Sequence, residues 1–201
     1  MKLQSIIIRI FDLIFSFIGI LFFSPISLII YFLICLGSKG GGFYKQIRVG
    51  KNNKDFYIYK FRSMYINSEN SGLITIGEKD PRITKIGYFI RKYKLDEIPQ
   101  LINVIKGDMS IVGPRPEVRK YVNIYTNKQK KILTTKPGIT DYASINFINE
   151  NELLNKSINP EKLYINFFLN EKINYNMIYI QNYGLKEYFK IILLTLRNII
   201  F

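Results

Sequence analysis

The sequence predicts an α/β fold, rich in helix with short strands, held on a membrane by its N-terminal part. Three observations predict it. Residues 13–36 carry no charge, residues 43–48 and 56–64 are strand-like stretches around a polar turn, and most later apolar residues recur at helical spacing. A chain of 201 residues can bury one real core. No repeat, low-complexity tract or linker divides it. The expected organisation is a re-entrant membrane hairpin with its exit loop over residues 1–42, then one domain over residues 43–201 ending in an amphipathic helix.

Charge narrows the partners. Lys and Arg number 29 against 15 Asp and Glu, a net charge of +14. Such an excess implies an anionic partner: a membrane surface, a nucleotide or a nucleic acid. With no His and only Cys35, an intrachain disulfide and a Ser-His-Asp or Cys-His apparatus are excluded, and zinc is disfavoured. Any metal should be hard and oxygen-bound, Mg²⁺ or similar.

Residues 13–36 are long enough to span a bilayer. Ser24-Pro25 sits in their middle, where proline breaks or kinks a helix. Lys2 and Arg9 precede the stretch and Lys39, Lys45 and Arg48 come after it, so both ends favour the cytoplasm. A hairpin bent at Ser24-Pro25 satisfies both facts, each leg reaching about 18 Å deep; a straight span with a tolerated kink competes with it. Arg9 and Asp12 are expected to pair at the interface. In the strand at residues 56–62, Lys60 and Arg62 share a face, either a solvated one or one that binds phosphate. Residues 67–79 form a polar loop. Asp80-Pro81-Arg82 is expected to start a helix through Ile83, Ile86, Ile90 and Tyr93, which brings Arg91 close in sequence to Asp96 and Glu97.

Asp96-Glu97-Ile98-Pro99 should open a helix carrying Leu101, Ile102 and Ile105 that ends at Gly107. Taken alone, that tetrapeptide reads as a helix cap with an acidic first turn. Its cationic neighbours Arg91, Lys92, Lys94 and Arg115 change the reading: two acids among fixed cations suit a phosphorylated substrate with a divalent metal. A helix N-terminus would keep both carboxylates ionised. Pro114-Arg115-Pro116 holds an arginine on a stiff turn. Residues 117–135 are expected to be helical, 136–140 a turn and 141–147 a strand, with further helices at 149–154 and 160–179. The basic amphipathic helix at 185–201 either lies on lipid or closes the domain.

Lys60-Phe61-Arg62-Ser63-Met64, Asp80-Pro81-Arg82, Leu95 to Leu101, Lys106 to Pro116 and Lys136 to Thr140 together resemble the monotopic phosphoglycosyl transferases, bacterial sugar transferases, in long blocks and in family order. The resemblance implies transfer of a phospho-sugar from a UDP-sugar to a polyprenyl (undecaprenyl) phosphate, with release of UMP, at the cytoplasmic face of the bacterial inner membrane. It implies Asp96 as nucleophile through a covalent phosphosugar intermediate. Glu97 is its partner, which helps hold Mg²⁺ with Asp96 or organises the acceptor. It also implies a re-entrant helix bent at Ser24-Pro25. Lys60, Arg62, Arg91 and Arg115 are the expected phosphate-binding cations, and anionic lipids the expected surroundings. Residues 141–147 depart from the family pattern: Asp141 and Tyr142 stand where many members have Gly-Trp, and a subsequent Gly-Arg is missing. A preference for an acetamido or deoxy sugar is the expectation drawn from that. The competing functions are a glycosyltransferase that releases UDP, a silent scaffold of the same fold and a membrane-tethered nucleic-acid binder. The last lacks any reading helix or stacking sheet, so no nucleic-acid partner is expected.

Overall fold

The structure, a computed structural model, describes residues 2–68, 72, 74, 75, 77 and 80–200; most of the polar loop expected at 67–79 lies outside them. The apolar stretch forms a 36-residue helix, α1 (Lys2–Gly37), which runs through Ser24-Pro25 instead of dividing into two separate legs. Local hydrogen bonding explains the continuity. Pro25 has no amide to donate to the Leu21 carbonyl. The Ser24 hydroxyl donates to that carbonyl at 2.8 Å, so the acceptor is satisfied without a helix break. Leu21, Phe22, Phe23 and Ile26 around this point are exposed. On either side α1 is docked: Ile8 packs with Val112, Tyr188 and Ile191, and Ile30 and Ile34 pack with Phe61 and Ile90.

Arg9 and Asp12 do not pair with each other. Arg9 donates to the carbonyls of Val104 (2.5 Å) and Ile105 (2.8 Å). Asp12 is buried and accepts from Ser110 Oγ, Ile111 N and Tyr188 Oη at 2.8–2.9 Å. Each thus ties α1 to a different part of the domain.

Strands β1 (Phe43–Val49) and β2 (Asp55–Phe61) form the expected antiparallel hairpin, with Phe43 opposite Phe61 and Val49 opposite Asp55. Helix α2 (Lys85–Lys92) starts later than expected because Thr84 is its cap, accepting from Gly87 N at 2.8 Å. Asp80 instead holds Arg82 at 2.7 Å, and Arg82 reaches on to the carbonyls of Gly72 and Ile74. A 3-10 turn over Leu95–Glu97 leads into α3 (Gln100–Lys106), and Gly107 ends that helix at φ +90°.

Strand β3 (Ser110–Val112) pairs in parallel with β4 (Gly138–Thr140), so the expected turn at 136–140 ends in a strand. Gly113 and Gly138 lie back to back: a Cβ on Gly138 would stand 2.0 Å from Gly113 N. No other residue type allows that approach.

The expected helix at 117–135 is broken into α4 (Arg119–Val122) and a 3-10 helix, Gln129–Thr134. Thr126 and Gln129 form a reciprocal cap, Thr126 N donating to Gln129 Oε1 (2.8 Å) and Gln129 N to Thr126 Oγ1 (3.3 Å), which starts a new helix there. Residues 141–147 form not a strand but the helix α5 (Tyr142–Asn146), because the Asp141 carboxylate caps it by accepting from Ser144 N at 2.7 Å. Then come α6 (Glu150–Asn155), α7 (Pro160–Leu163), a π turn, α8 (Leu169–Gln181) and α9 (Leu185–Ile200). Tyr188 and Ile191 of α9 are fully buried while Leu193 and Leu196 are exposed. One face of α9 therefore closes the core. The largest core cluster joins Val49, Tyr121, Val122, Ile132, Leu154 and Phe168.

Candidate active site

The acidic pair is held by a strained turn. Lys94, just before it, sits at φ 53°, a conformation that costs a non-glycine residue about 1 kcal/mol. The adjoining 3-10 turn directs both carboxylates toward the end of β2 and the Pro114-Arg115-Pro116 segment. Glu97 Oε1 accepts from Lys60 Nζ at 2.9 Å. Arg115 grips both oxygens of Glu97, through Nη1 at 3.2 Å and through Nη2. Two cations and one carboxylate thus join β2, the acidic turn and the proline-flanked loop.

Asp96 differs from its neighbour. It is 7% exposed, and among the described residues its carboxylate makes no hydrogen bond or ion pair. Burial raises its pKa above the usual carboxylate value; Lys60 pulls it down, Glu97 pushes it up, and Arg91 and Arg115 act downward through space. The expected helix terminus would have kept it ionised, but a buried 3-10 turn provides no such help. For Glu97, burial also acts upward, but Arg115 and Lys60 outweigh it and hold the group well below its usual value. Arg115 is raised in turn, chiefly by Glu97. Lys60 is nonetheless lowered, because its burial outweighs its share of the Glu97 charge and Arg115 repels it.

The six sequence-predicted site residues therefore divide. The structure brings Asp96, Glu97, Lys60 and Arg115 together, and Arg91 acts on Asp96 at longer range from the last turn of α2. Arg62 is turned away: its guanidinium donates to the carbonyls of Ser38 (3.0 Å), Lys39 and Gly40 (3.2 Å), anchoring the exit of α1. Strand β2 ends at Phe61, so the alternation that paired Lys60 with Arg62 stops before Arg62.

Four contributors escaped the sequence reading. Arg48 donates to Gln46 Oε1 (2.7 Å) and the Pro116 carbonyl (3.1 Å), bracing the loop that carries Arg115. Asp141 is fully buried and accepts from Arg115 N at 3.1 Å while capping α5. Asn103 is fully buried, accepts from Tyr59 N (2.9 Å) and donates to the Tyr57 carbonyl (2.7 Å), clipping α3 to β2 beside Lys60. An amide set between the apolar pairs Leu101-Ile102 and Val104-Ile105 was the signal for it. Gln100 is also fully buried, and neither of its amide atoms has a partner among the described residues.

Residues 3–201 match the family model described as bacterial sugar transferase. The chain belongs to the bacterial sugar transferase family. It is 46% identical over 120 residues, 60% of this chain and 67% of the relative, to a putative undecaprenyl-phosphate N-acetylgalactosaminyl 1-phosphate transferase of Bacillus subtilis (strain 168). It is 44% identical over 137 residues to the UDP-N-acetylgalactosamine-undecaprenyl-phosphate N-acetylgalactosaminephosphotransferase of Aeromonas hydrophila, matching 67% of this chain and 32% of that one. A UDP-glucose:undecaprenyl-phosphate glucose-1-phosphate transferase of Klebsiella pneumoniae is 34% identical over 195 residues, 93% of this chain and 38% of that protein. The chain thus matches 32% and 38% of these last two relatives.

Proposed function

We propose that this bacterial sugar transferase moves a sugar 1-phosphate from a UDP-sugar to undecaprenyl phosphate, releasing UMP, as the first membrane step of surface-glycan synthesis. The observation that carries the reading is the asymmetry of the acidic pair. Glu97 is neutralised by Lys60 and Arg115, while among the described residues no cation is bonded to Asp96, whose oxygens are left free for a donor. A nucleophile requires that second state. One Asp96 oxygen attacks the β-phosphorus of the donor. The bond from that phosphorus to the bridging oxygen breaks, and UMP leaves with the electron pair. An oxygen of the acceptor phosphate then attacks the same phosphorus and Asp96 departs. Arg115 and Arg91 stabilise charge on the transferring phosphoryl group.

A divalent metal fits this site in part. Mg²⁺ is commonly held by one or two carboxylates plus substrate phosphates, and Asp96 is a hard oxygen donor of that kind. Both Glu97 oxygens are already engaged by Lys60 and Arg115, which favours Asp96 for the protein's share of the metal. Bound Mg²⁺ would neutralise diphosphate charge.

The re-entrant reading of α1 rests on its docking. Ser16 and Ile30 are both buried against the same domain, and the intervening helix covers about 21 Å at 1.5 Å per residue. A hydrocarbon core is about 30 Å thick. We read the exposed stretch at Leu21–Ile26, between these two docked points, as dipping into one leaflet from the cytoplasmic side. An N-acetylated hexosamine is the proposed sugar, supported by the names of the Bacillus and Aeromonas relatives.

The test is nucleotide release by purified protein with Mg²⁺, undecaprenyl phosphate and a UDP-sugar panel. Wild type should release UMP, best with UDP-N-acetylgalactosamine, and Asp96→Asn should lose at least about 10³-fold. UDP as the product would replace this reading with ordinary glycosyl transfer. Preferred turnover of UDP-glucose would overturn the sugar assignment alone.

A further inference from the structure

An apolar cavity of about 400 Å³ opens between α1 and the start of α3. Ile98 and Pro99, the two residues after the acidic pair, form one wall, with Ile102 a turn further on. Ser27 and Tyr31 of α1 form the wall opposite. Phe43 and Phe61 close one end, their rings stacked at 5.3 Å, and Tyr31 packs on Phe43 at 5.2 Å. No charged side chain lines it among the described residues. The polar groups in its lining are the hydroxyls of Ser24, Ser27 and Tyr31, and that of Ser24 is already bonded to Leu21 O.

We propose that this cavity seats the first isoprene units of the polyprenyl acceptor, the rest of the chain passing out into lipid. The assignment rests on the proposed function, in which the acceptor is a polyprenyl phosphate. Three features select this occupant. A donor sugar or diphosphate would lose its hydrogen bonds or its counter-charge here. The cavity begins where the acidic turn ends, so a tail lying in it carries its phosphate toward Asp96. Its α1 wall leads directly to the exposed tip of Leu21, Phe22, Phe23 and Ile26, the part of the molecule set to enter lipid. A volume of this size is within the range of small-molecule sites and takes only the head-proximal part of a long tail.

The experiment uses the full chain in nanodiscs, with undecaprenyl phosphate at varied mole fraction and UDP-N-acetylgalactosamine as donor. Two readouts are taken: the burst of UMP formed from donor alone, and the acceptor KM in steady state. Ser27→Phe and Ile102→Phe each fill the cavity from a different wall, and Ile26→Phe adds the same ring outside it. Both filling variants should keep the burst amplitude and raise the acceptor KM at least tenfold, with Ile26→Phe unchanged. For wild type, acceptor KM should fall with prenyl length over the first few units and then stay level. An intact burst with unaltered KM in the filled variants would overturn the proposal and leave the cavity to an ordinary acyl chain. Loss of the burst in both filled variants would also overturn it, since the cavity would then serve the donor step. No burst in wild type would remove the covalent reading itself, and this assignment with it.

Discussion

Asp96 and Glu97 are adjacent in sequence and shift in opposite directions, because the chain supplies two bonded cations to one and none to the other. This sets the pH dependence. Asp96 must be ionised to attack, so activity falls as pH drops through a value that burial has raised above the ordinary carboxylate range. Among the cations, Lys60 exerts the largest downward pull on it. Lys60→Met should therefore move the acidic limb of kcat to higher pH. Glu97→Gln removes an adjacent anion and leaves Lys60 and Arg115 unpaired, so it should move the limb to lower pH; kcat profiles of both variants check the signs. Stability tracks Glu97 separately. Its folded pKa is depressed, so its contribution is present above the unfolded value of about 4.5. The gap in unfolding free energy between wild type and Glu97→Gln should stay level at neutral pH. It should shrink as pH falls from that value through the folded one. Gln100 offers a different test. Burying an unpaired amide costs about 1–3 kcal/mol, so Gln100→Met should raise the melting temperature. If the amide is kept for substrate, the same variant loses at least tenfold in kcat/KM; a gain in stability with full activity would assign Gln100 no role in turnover.

At the scale of elements, hydrogen bonds account for most of the gap between what was legible and what formed. The hairpin of β1 and β2, the helix after the acidic pair and its stop at Gly107 could all be read from alternation, capping and glycine. The strand expected at 141–147 became α5 because one carboxylate, Asp141, found Ser144 N, and a three-residue pattern does not reveal whether a cap or a sheet partner wins. The 117–135 helix was lost to the Thr126–Gln129 reciprocal cap, which was present in the sequence and outweighed by apolar spacing. Ser24-Pro25 was legible as a site of special geometry, but the continuity of α1 depended on where one hydroxyl pointed. That contact yields a prediction. Ser24→Ala leaves the Leu21 carbonyl unpaired in lipid, at a cost of about 1 kcal/mol. Pro25→Ala restores the missing amide and favours a straight span. Labelling a cysteine placed at residue 3, in a Cys35→Ser background, should find it on the cytoplasmic side in wild type. In Pro25→Ala part of the population should move to the opposite side; no movement would mean that the docking of Ile8 and Asp12, not the proline, sets the topology.

For the molecule as a whole, the sequence made plain that charge and an apolar N-terminus would both bring the chain to a membrane, but not which dominates. The structure supplies the magnitudes. Leu21, Phe22, Phe23 and Ile26 are exposed together. Leu21 and Phe22 are 78% and 74% exposed, but Phe23 and Ile26 only 36% and 39%, so at about 1.5–3 kcal/mol for each fully exposed large apolar side chain removed from water the tip contributes roughly 3–7 kcal/mol. Basic residues near an anionic surface contribute about 1 kcal/mol each and are screened as salt shortens the Debye length to about 3 Å at 1 M. Several of the cations are unavailable for that role, since Arg62, Arg82, Arg9 and Arg115 are engaged by carbonyls and carboxylates within the protein. The apolar term should therefore hold the protein on the bilayer alone. Vesicles containing anionic lipid should retain wild type through a 1 M salt wash, as should vesicles of neutral lipid. Replacing Leu21, Phe22 and Ile26 together by serine should release it into the supernatant under the same wash while the purified variant keeps its fold in detergent. Release of wild type by salt would reverse the ranking and make the net charge of +14 the main anchor.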